Sequence, residues 1–355
     1  VVNLTVNGRK IQVAKGTTIL EACKLNGIHI PTLCYDKDLR LAGSCRMCIV
    51  DVKNRPLFLA ACVTPAEDGM IIETESPDII EARKVILELL LARHKLECHT
   101  CEKNGDCRLQ DYCYQYGVKE SRFTEGGEPH YPINDPNPFI ERDYNKCIMC
   151  TRCVRACEEI TVARAINVKN RGHNARISTA FDTSLVNSPC VFCGQCIMVC
   201  PVGALSSKVS AGLGRPSDID KKVLTTCTYC GTGCTLELSV KNNKVVGVTS
   251  NREEESSPVN KGALCVKGRF GWDFIHSPDR LTKPMIKENG QFKEVSWDEA
   301  LNYISHKLGD IKENYGSDSL AFFSSARATN EENYIAQKFV RAVLGTNNVD
   351  HCARL

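Results

Sequence analysis

The residues here that could do chemistry are cysteines: the 355-residue chain has 22, and most sit in tight runs. The plainest are CIMCTRCVRAC, with Cys147, Cys150, Cys153 and Cys157, and CVFCGQCIMVCP, with Cys190, Cys193, Cys196 and Cys200. Both read C-x2-C-x2-C-x3-C. In that spacing the first three thiolates of one run and the last thiolate of the other hold one cluster. The pattern predicts two [4Fe–4S] sites. Cys147, Cys150, Cys153 and Cys200 form one, and Cys190, Cys193, Cys196 and Cys157 the other. A zinc site gathers four ligands at one point and has no need of interleaved fourth ligands.

Three further sets follow the same logic. Cys34, Cys45, Cys48 and Cys62 have a spacing near the plant-type [2Fe–2S] class, with a longer first gap; zinc is the alternative. Gly43 and Ser44 let that loop wrap closely and turn N–H groups to sulfur. His94, Cys98, Cys101 and Cys107 form a second set, but spacing alone leaves Cys113 open as a replacement for His94. Cys227, Cys230 and Cys234 in CTYCGTGC, with Cys265 in GALCVKGR, make a fifth. Nineteen cysteines and one histidine fill these sets, leaving Cys23, Cys113 and Cys352. A disulfide scaffold fits poorly, because it suits short secreted chains and staples distant loops.

The elements that must position these groups are legible. VNLTV alternates, with Val2, Leu4 and Val6 on one face, and Asn7-Gly8 reads as a hairpin turn before KIQVA. Thr18 with Glu21 reads as a capping box for ILEACKLNG, on which Cys23 is a small buried hydrophobe. That is how a β-grasp ferredoxin begins. PDIIEARKVILELLLARH reads as a helix with an apolar face of Ile79, Ile80, Val85, Ile86, Leu89 and Leu90. Residues 122–142 are a Gly/Pro-rich link, and the long insert between the two cysteine runs reads as a hairpin and loop. A second linker covers 210–222. LELSVKNNKVVGVTS is a hairpin turned at Asn242-Asn243. From residue 277 cysteine nearly vanishes. A helix capped by Ser296 and Glu299 and stopped by Gly316, a strand in SLAFFSSA and a helix in NEENYIAQKFVRAVLG open an α/β domain with a parallel sheet.

The expected fold class is α+β multidomain. Residues 1–78 are a β-grasp [2Fe–2S] ferredoxin, 79–120 a cluster domain whose fourth ligand, His94 or Cys113, the spacing leaves open, and 138–209 a two-cluster ferredoxin. Residues 220–276 are a small β [4Fe–4S] domain, and 277–355 the start of an α/β domain, which resemblance to the molybdopterin oxidoreductase superfamily implies is molybdopterin-binding. The formal charge of +3 shows no block that would bind nucleic acid, and Glu253-Glu254-Glu255 reads as a solvated loop. The longest apolar run, residues 85–92, is far short of a membrane span and carries Glu88. With no export signal at the start, a cytoplasmic location is expected.

Residues 1 to about 205 resemble the large iron–sulfur subunit of complex I and the N-terminal region of multi-cluster iron hydrogenases. That resemblance implies that His94, with Cys98, Cys101 and Cys107, binds a [4Fe–4S] cluster, which makes Cys113 a bystander. Residues 223–355 resemble the cytosolic, NAD(P)-linked formate dehydrogenases of the molybdopterin oxidoreductase superfamily. CTYCGTGC, GALCVKGRFGWDFIHSPDRLTKPM and SSARATNEENYIAQKFVRAVLGTNNVDHCARL carry it. The match is to the N-terminal part of a catalytic α subunit.

The resemblance implies one [2Fe–2S] and four [4Fe–4S] clusters, with a molybdenum or tungsten bis-pterin (Mo/W-bis-MGD) in the full-length enzyme. Lys267 then lies between the last cluster and the pterin as an electron relay. Asn330 and Glu331 approach the pterin guanosine, and Ala328 departs from the polar residue or Cys expected there. The metal-ligating selenocysteine or cysteine is expected just after Leu355, so that a UGA codon read as stop would end the chain there. The whole enzyme would interconvert formate and CO2, passing electrons to a flavin- and NAD(P)-binding iron–sulfur subunit, a hydrogenase or a ferredoxin. The 355 residues alone are expected not to oxidise formate. The alternative is a complex I-like or other molybdopterin oxidoreductase electron-transfer subunit.

Overall fold

Asn7 and Gly8 both adopt positive φ, 48° and 77°. Their turn folds β1 (Val2–Val6) onto β2 (Arg9–Val13) in antiparallel register. The computed structural model describes residues 1–123, 127, 130–133, 136–253 and 255–352. Parts of the expected 122–142 link, Glu254 of the acidic run, and residues 353–355 with the position beyond them lie outside the described residues. The chain divides into two units, Val1–Ile219 and Asp220–Leu355.

In the first unit Val2, Leu4 and Val6 face a core, as their alternation requires. Helix α1 (Ile19–Leu25) lays Ile19, Leu20, Ala22 and Cys23 into it. Thr18 caps α1 by accepting from the Glu21 N–H. The Glu21 carboxylate takes the Tyr35 hydroxyl instead of returning to Thr18, so only half of the expected capping box forms. Strands β3 (Ile49–Val52), β4 (Leu59–Ala60) and β5 (Ile71–Glu73) complete a mixed sheet of order β2-β1-β5-β3-β4, with β1 and β5 parallel.

Helix α2 (Pro77–Leu91) starts with Ser76 as cap and Pro77 in the first turn. Its buried stripe is Ile79, Arg83, Leu87 and Leu91, one residue per turn. The apolar face expected from sequence is therefore rotated, and Leu89 is exposed. Arg83 is the reason. Its guanidinium donates to Ile49 O, to the Tyr116 hydroxyl and to Glu75, all within 3.0 Å. Residues 93–107 run in turns to α3 (Arg108–Tyr116), which Gly117 closes at φ 67°.

Beyond the link come β6 (Ile140–Arg142), α4 (Arg152–Glu159), β7 (Asn167–Lys169), β8 (Arg176–Ser178), α5 (Gln195–Val199) and β9 (Leu205–Ser207). β6 pairs with β9, α4 packs on α5, and β7–β8 is the hairpin expected in the insert.

The second unit opens with an antiparallel sheet of β10 (Lys221–Thr226), β11 (Thr235–Lys241) and β12 (Lys244–Thr249). Asn242 and Asn243 make the expected turn at φ 49° and 58°. After α6 (Val266–Phe270), strands β13 (Met285–Glu288) and β14 (Gln291–Glu294) form a hairpin that the sequence reading missed. The signal was the Asn289-Gly290 pair. Helix α7 (Trp297–Tyr315) carries the full Ser296/Glu299 capping box. β15 (Phe322–Ser324), α8 (Asn330–Phe339) with a π turn at Val340–Leu344, and β16 (Val349–His351) follow. β15 and β16 pair in parallel over a core of Leu320, Val340 and Leu344. Among the described residues no helix is long and apolar enough to cross a membrane.

Candidate iron–sulfur sites

Cys34, Cys45, Cys48 and Cys62 are each at most 6% exposed, and they converge. The Cys34 N–H points to Cys45 Sγ at 3.3 Å and the Cys45 N–H to Cys34 Sγ at 3.4 Å. Hydrogen bonds among the four sulfurs push Cys34 and Cys48 down and Cys45 and Cys62 up. Four buried sulfurs this close, with backbone N–H groups aimed at them, form a donor set that would fit a metal cluster.

The two C-x2-C-x2-C-x3-C runs adopt one backbone form twice. Met149 and Thr151 in the first have φ 54° and 57°, and Phe192 and Gly194 in the second have 51° and 71°. The left-handed residue aims its N–H back at sulfur, Met149 at Cys147 and Phe192 at Cys190, both at 3.4 Å. Non-glycine residues are rarely left-handed. Here the repeated N–H to sulfur contact accounts for the conformation. Cys157, Cys190, Cys193 and Cys196 line one cavity of about 30 Å³. Cys147, Cys150, Cys153 and Cys200 lie near one another, and burial raises all four, Cys147 to about 11 and Cys150 to about 12. The structure thus brings Cys157 beside Cys190, Cys193 and Cys196, and Cys200 beside Cys147, Cys150 and Cys153.

His94 is held by the Lys146 carbonyl, 2.9 Å from its Nδ1. A carbonyl only accepts, so Nδ1 carries the proton and Nε2 is left with its lone pair. Burial lowers the pKa of His94 to about 4 and keeps it neutral, the form that binds metal. Two cavities meet here. The smaller, about 20 Å³, is lined by His94, Cys98, Cys101 and Cys107. The larger, about 380 Å³, has His94, Cys98, Cys107 and Cys113 in its wall. Cys113 sits on α3, where burial pushes it up to about 12.

In the second unit the Cys227 N–H donates to Cys234 O at 2.7 Å, closing the CTYCGTGC loop. Cys265 is exposed and precedes α6. Burial raises Cys227 and Cys234. A hydrogen bond to the Thr232 hydroxyl lowers Cys230, and the Lys267 charge acts downward on both Cys227 and Cys230. Lys267 Nζ also lies 5.9 Å from the centre of the Tyr229 ring. A Cβ on Gly231 would come 2.9 Å from Asn330 Oδ1, so the start of α8 sits against the cysteine loop. Glu331 is exposed beside it. Cys23 is fully buried and raised to about 11, the inert core thiol expected. Cys352 is exposed, with Ser325 Oγ 3.5 Å from its sulfur.

Among the described residues no group of three or more His, Cys, Asp or Glu closes on a point that would hold one metal ion. A fit for anionic clusters comes from elsewhere. Arg155 is buried in the first unit, and its partners are the carbonyls of Arg40, Cys34 and Cys150 rather than a carboxylate. A buried guanidinium without a counter-ion is costly unless negative charge sits nearby. Thiolate-bound clusters would supply that charge. Arg155, Gly203 and the Lys146 carbonyl were not singled out from the sequence. The position of Arg155 inside the CTRCVRAC run was the one available signal.

Known families match most of the chain. Residues 1–77 match a 2Fe-2S iron-sulfur cluster binding domain, and 83–122 the NADH-ubiquinone oxidoreductase-G iron-sulfur binding region. Residues 137–206 match the ferredoxin-like domain of NADH-quinone oxidoreductase subunit 3. Residues 220–277 match the molybdopterin oxidoreductase Fe4S4 domain, and 280–355 molybdopterin oxidoreductase. The chain belongs to the complex I-like iron–sulfur subunits that carry a molybdopterin oxidoreductase domain. Within that family it is 41% identical to the NADPH-Fe(3+) oxidoreductase subunit alpha of Geobacter sulfurreducens, covering 100% of this chain and 40% of that protein. It is 36% identical to a Staphylococcus aureus protein named "Putative formate dehydrogenase", covering 99% of this chain and 39% of that one. A chain of the NAD+-reducing [NiFe]-hydrogenase crystal structure in the H2-reduced state superimposes with TM-score 0.54 and 32% identity. That match covers 60% of this chain and 90% of the hydrogenase chain. This chain thus spans about 40% of the length of the curated relatives it matches.

Proposed function

We propose that residues 1–355 are the electron-transfer segment of a formate dehydrogenase catalytic subunit. The observation that carries this reading is the gathering of the cysteine sets ahead of a pterin-type cluster loop, with Lys267 and Asn330 beside that loop. The S. aureus relative and the formate dehydrogenase-like stretch from Ser324 to Leu355 support formate as the substrate. Under this reading formate becomes CO2 and a proton, and two electrons leave through this chain to an NAD(P)-reducing, hydrogenase or ferredoxin partner. The clusters supply the one-electron steps. The chain's own residues space them, direct N–H groups at sulfur and keep water out of the buried sets.

The proposed ligands are Cys34, Cys45, Cys48 and Cys62 for [2Fe–2S]. His94, Cys98, Cys101 and Cys107 hold the first [4Fe–4S], and the two interleaved sets hold the next two. Cys227, Cys230, Cys234 and Cys265 hold the last. The family matches over 1–77, 83–122, 137–206, 220–277 and 280–355 support the five-part layout. In the whole enzyme Lys267, Asn330 and Glu331 would face a Mo/W bis-pterin. Selenocysteine or cysteine would follow Leu355 as metal ligand. A gene sequence with another residue there would remove that part of the reading.

The anaerobically reconstituted chain should bind about 18 iron atoms, the content of one [2Fe–2S] and four [4Fe–4S] clusters. It should take no electrons from formate, whereas the full-length enzyme should reduce its clusters with formate as seen by EPR. Silence of the full-length enzyme toward formate would favour the complex I-like alternative, for which the Geobacter relative speaks. A finer outcome separates the two cavities at His94. Cys101→Ser should cost about four iron atoms, and Cys113→Ser none; the reverse result would give Cys113 the ligand role.

A further inference from the structure

Arg155 joins two sets that the cysteine spacing treats as independent. It lies on α4 and is 3% exposed. Its Nη2 donates to Cys34 O at 2.6 Å and to Cys150 O at 3.3 Å, and its Nη1 donates to Arg40 O. Cys34 belongs to the [2Fe–2S] set, and Cys150 to the set of Cys147, Cys153 and Cys200. One guanidinium therefore bridges a ligand residue of each of two neighbouring clusters.

The neighbouring charges are already matched. Arg152 on the same helix pairs with Asp36, with both side chains buried. Arg40 pairs at the surface with Glu158 and Glu159. Ser44 donates to Met149 O across the same seam. Among the described residues, Arg155 brings a buried positive charge to this seam with carbonyls as its hydrogen-bond partners, and its Nε has none. Arginine keeps its charge even when buried. A fixed positive charge in a dry interior favours the state with one more electron at each cluster it faces.

We propose that Arg155 is a positioning and tuning residue shared by the [2Fe–2S] cluster and its neighbouring [4Fe–4S] cluster. It locks the two ligand segments together and raises the reduction potentials of both in concert. The electrons in each couple come from formate or the partner under the proposed function, on whose cluster assignment this inference rests. Nothing else is consumed: each cluster gains and loses one electron, and Arg155 changes neither bonds nor protons.

The test is an EPR-monitored redox titration of the anaerobically reconstituted protein and of Arg155→Met and Arg155→Lys. In Arg155→Met both clusters should move to lower potential together, while the other three clusters stay in place as internal references. Arg155→Lys keeps the charge and should stay near the wild-type potentials. Unchanged potentials of the two clusters in Arg155→Met, both being present, would overturn the proposal. So would an equal drop in Arg155→Lys, since charge would then not be the cause. Should Arg155→Met fail to take up iron, the titration of Arg155→Gln against Arg155→Lys gives the same comparison. If the wild-type protein itself lacks either cluster signal, the cluster assignment fails and this inference falls with it.

Discussion

Gly203→Ala is expected to remove the cluster proposed at His94 and leave the other proposed clusters. A Cβ at Gly203 would overlap Cys101 Sγ, closer than real Cβ contacts come. The Gly203 backbone is not left-handed, so the requirement is for space alone. The backbone turn at Gly203 cannot easily yield. Gly203 is three residues past Cys200, in the turn whose Val202, Ala204 and Leu205 N–H groups face the Cys200 sulfur. Moving that turn disturbs a second site, so Cys101 is the group that must move, and its sulfur then leaves the cavity it shares with His94, Cys98 and Cys107. Iron content should fall by about four atoms of about 18, with one [4Fe–4S] EPR signal lost. A full iron complement with all signals intact would show that Cys101 can re-seat and that the contact is not needed.

The second large effect is on stability. Arg83→Ala is expected to destabilise the first unit by on the order of 3 kcal/mol, because it leaves Tyr116 and the Ile49 carbonyl without their donor and opens a cavity. Glu75 contributes less, since it is half exposed and can return to water. Arg83 ties α2 to β3 and to the end of α3. Its loss should therefore loosen the 93–107 turns between those helices, which carry His94, Cys98 and Cys101. Thermal unfolding and limited proteolysis should show a lower midpoint and earlier cleavage in that segment. A variant as stable as the parent would mean that the helices are held by Ile79, Leu87 and Leu91 alone.

Both predictions concern residues without any sequence signature of their own. Arg83 sits in a run that reads as an apolar helix, and periodicity assigned the buried face to Ile79, Ile80, Val85, Ile86, Leu89 and Leu90, of which Ile79 is buried and Leu89 exposed. Local pattern cannot see that Ile49, far back in the chain, offers a carbonyl there. Gly203 reads as an ordinary small-residue turn after Cys200. Its need for space comes from Cys101, which belongs to a different cysteine set.

The sequence by itself determined the kind of chemistry. Cysteine spacing is local, and a cluster requires thiolates at intervals that few other uses share, so the interleaved runs and the short Cys227 loop could be read directly. Capping residues and Asn-rich turns likewise act between near neighbours in the chain, which is why α1, α7 and the Asn242-Asn243 hairpin were legible. Tertiary structure alone decided what depends on distant segments meeting. It put both Cys101 and Cys113 beside His94, gave His94 its carbonyl from Lys146, and stretched Arg155 between Cys34 and Cys150. The His94–Lys146 and Arg155–Cys34 contacts join residues that are far apart in the chain. Their energetics come from burial, where an unmatched charge or a missing volume costs most.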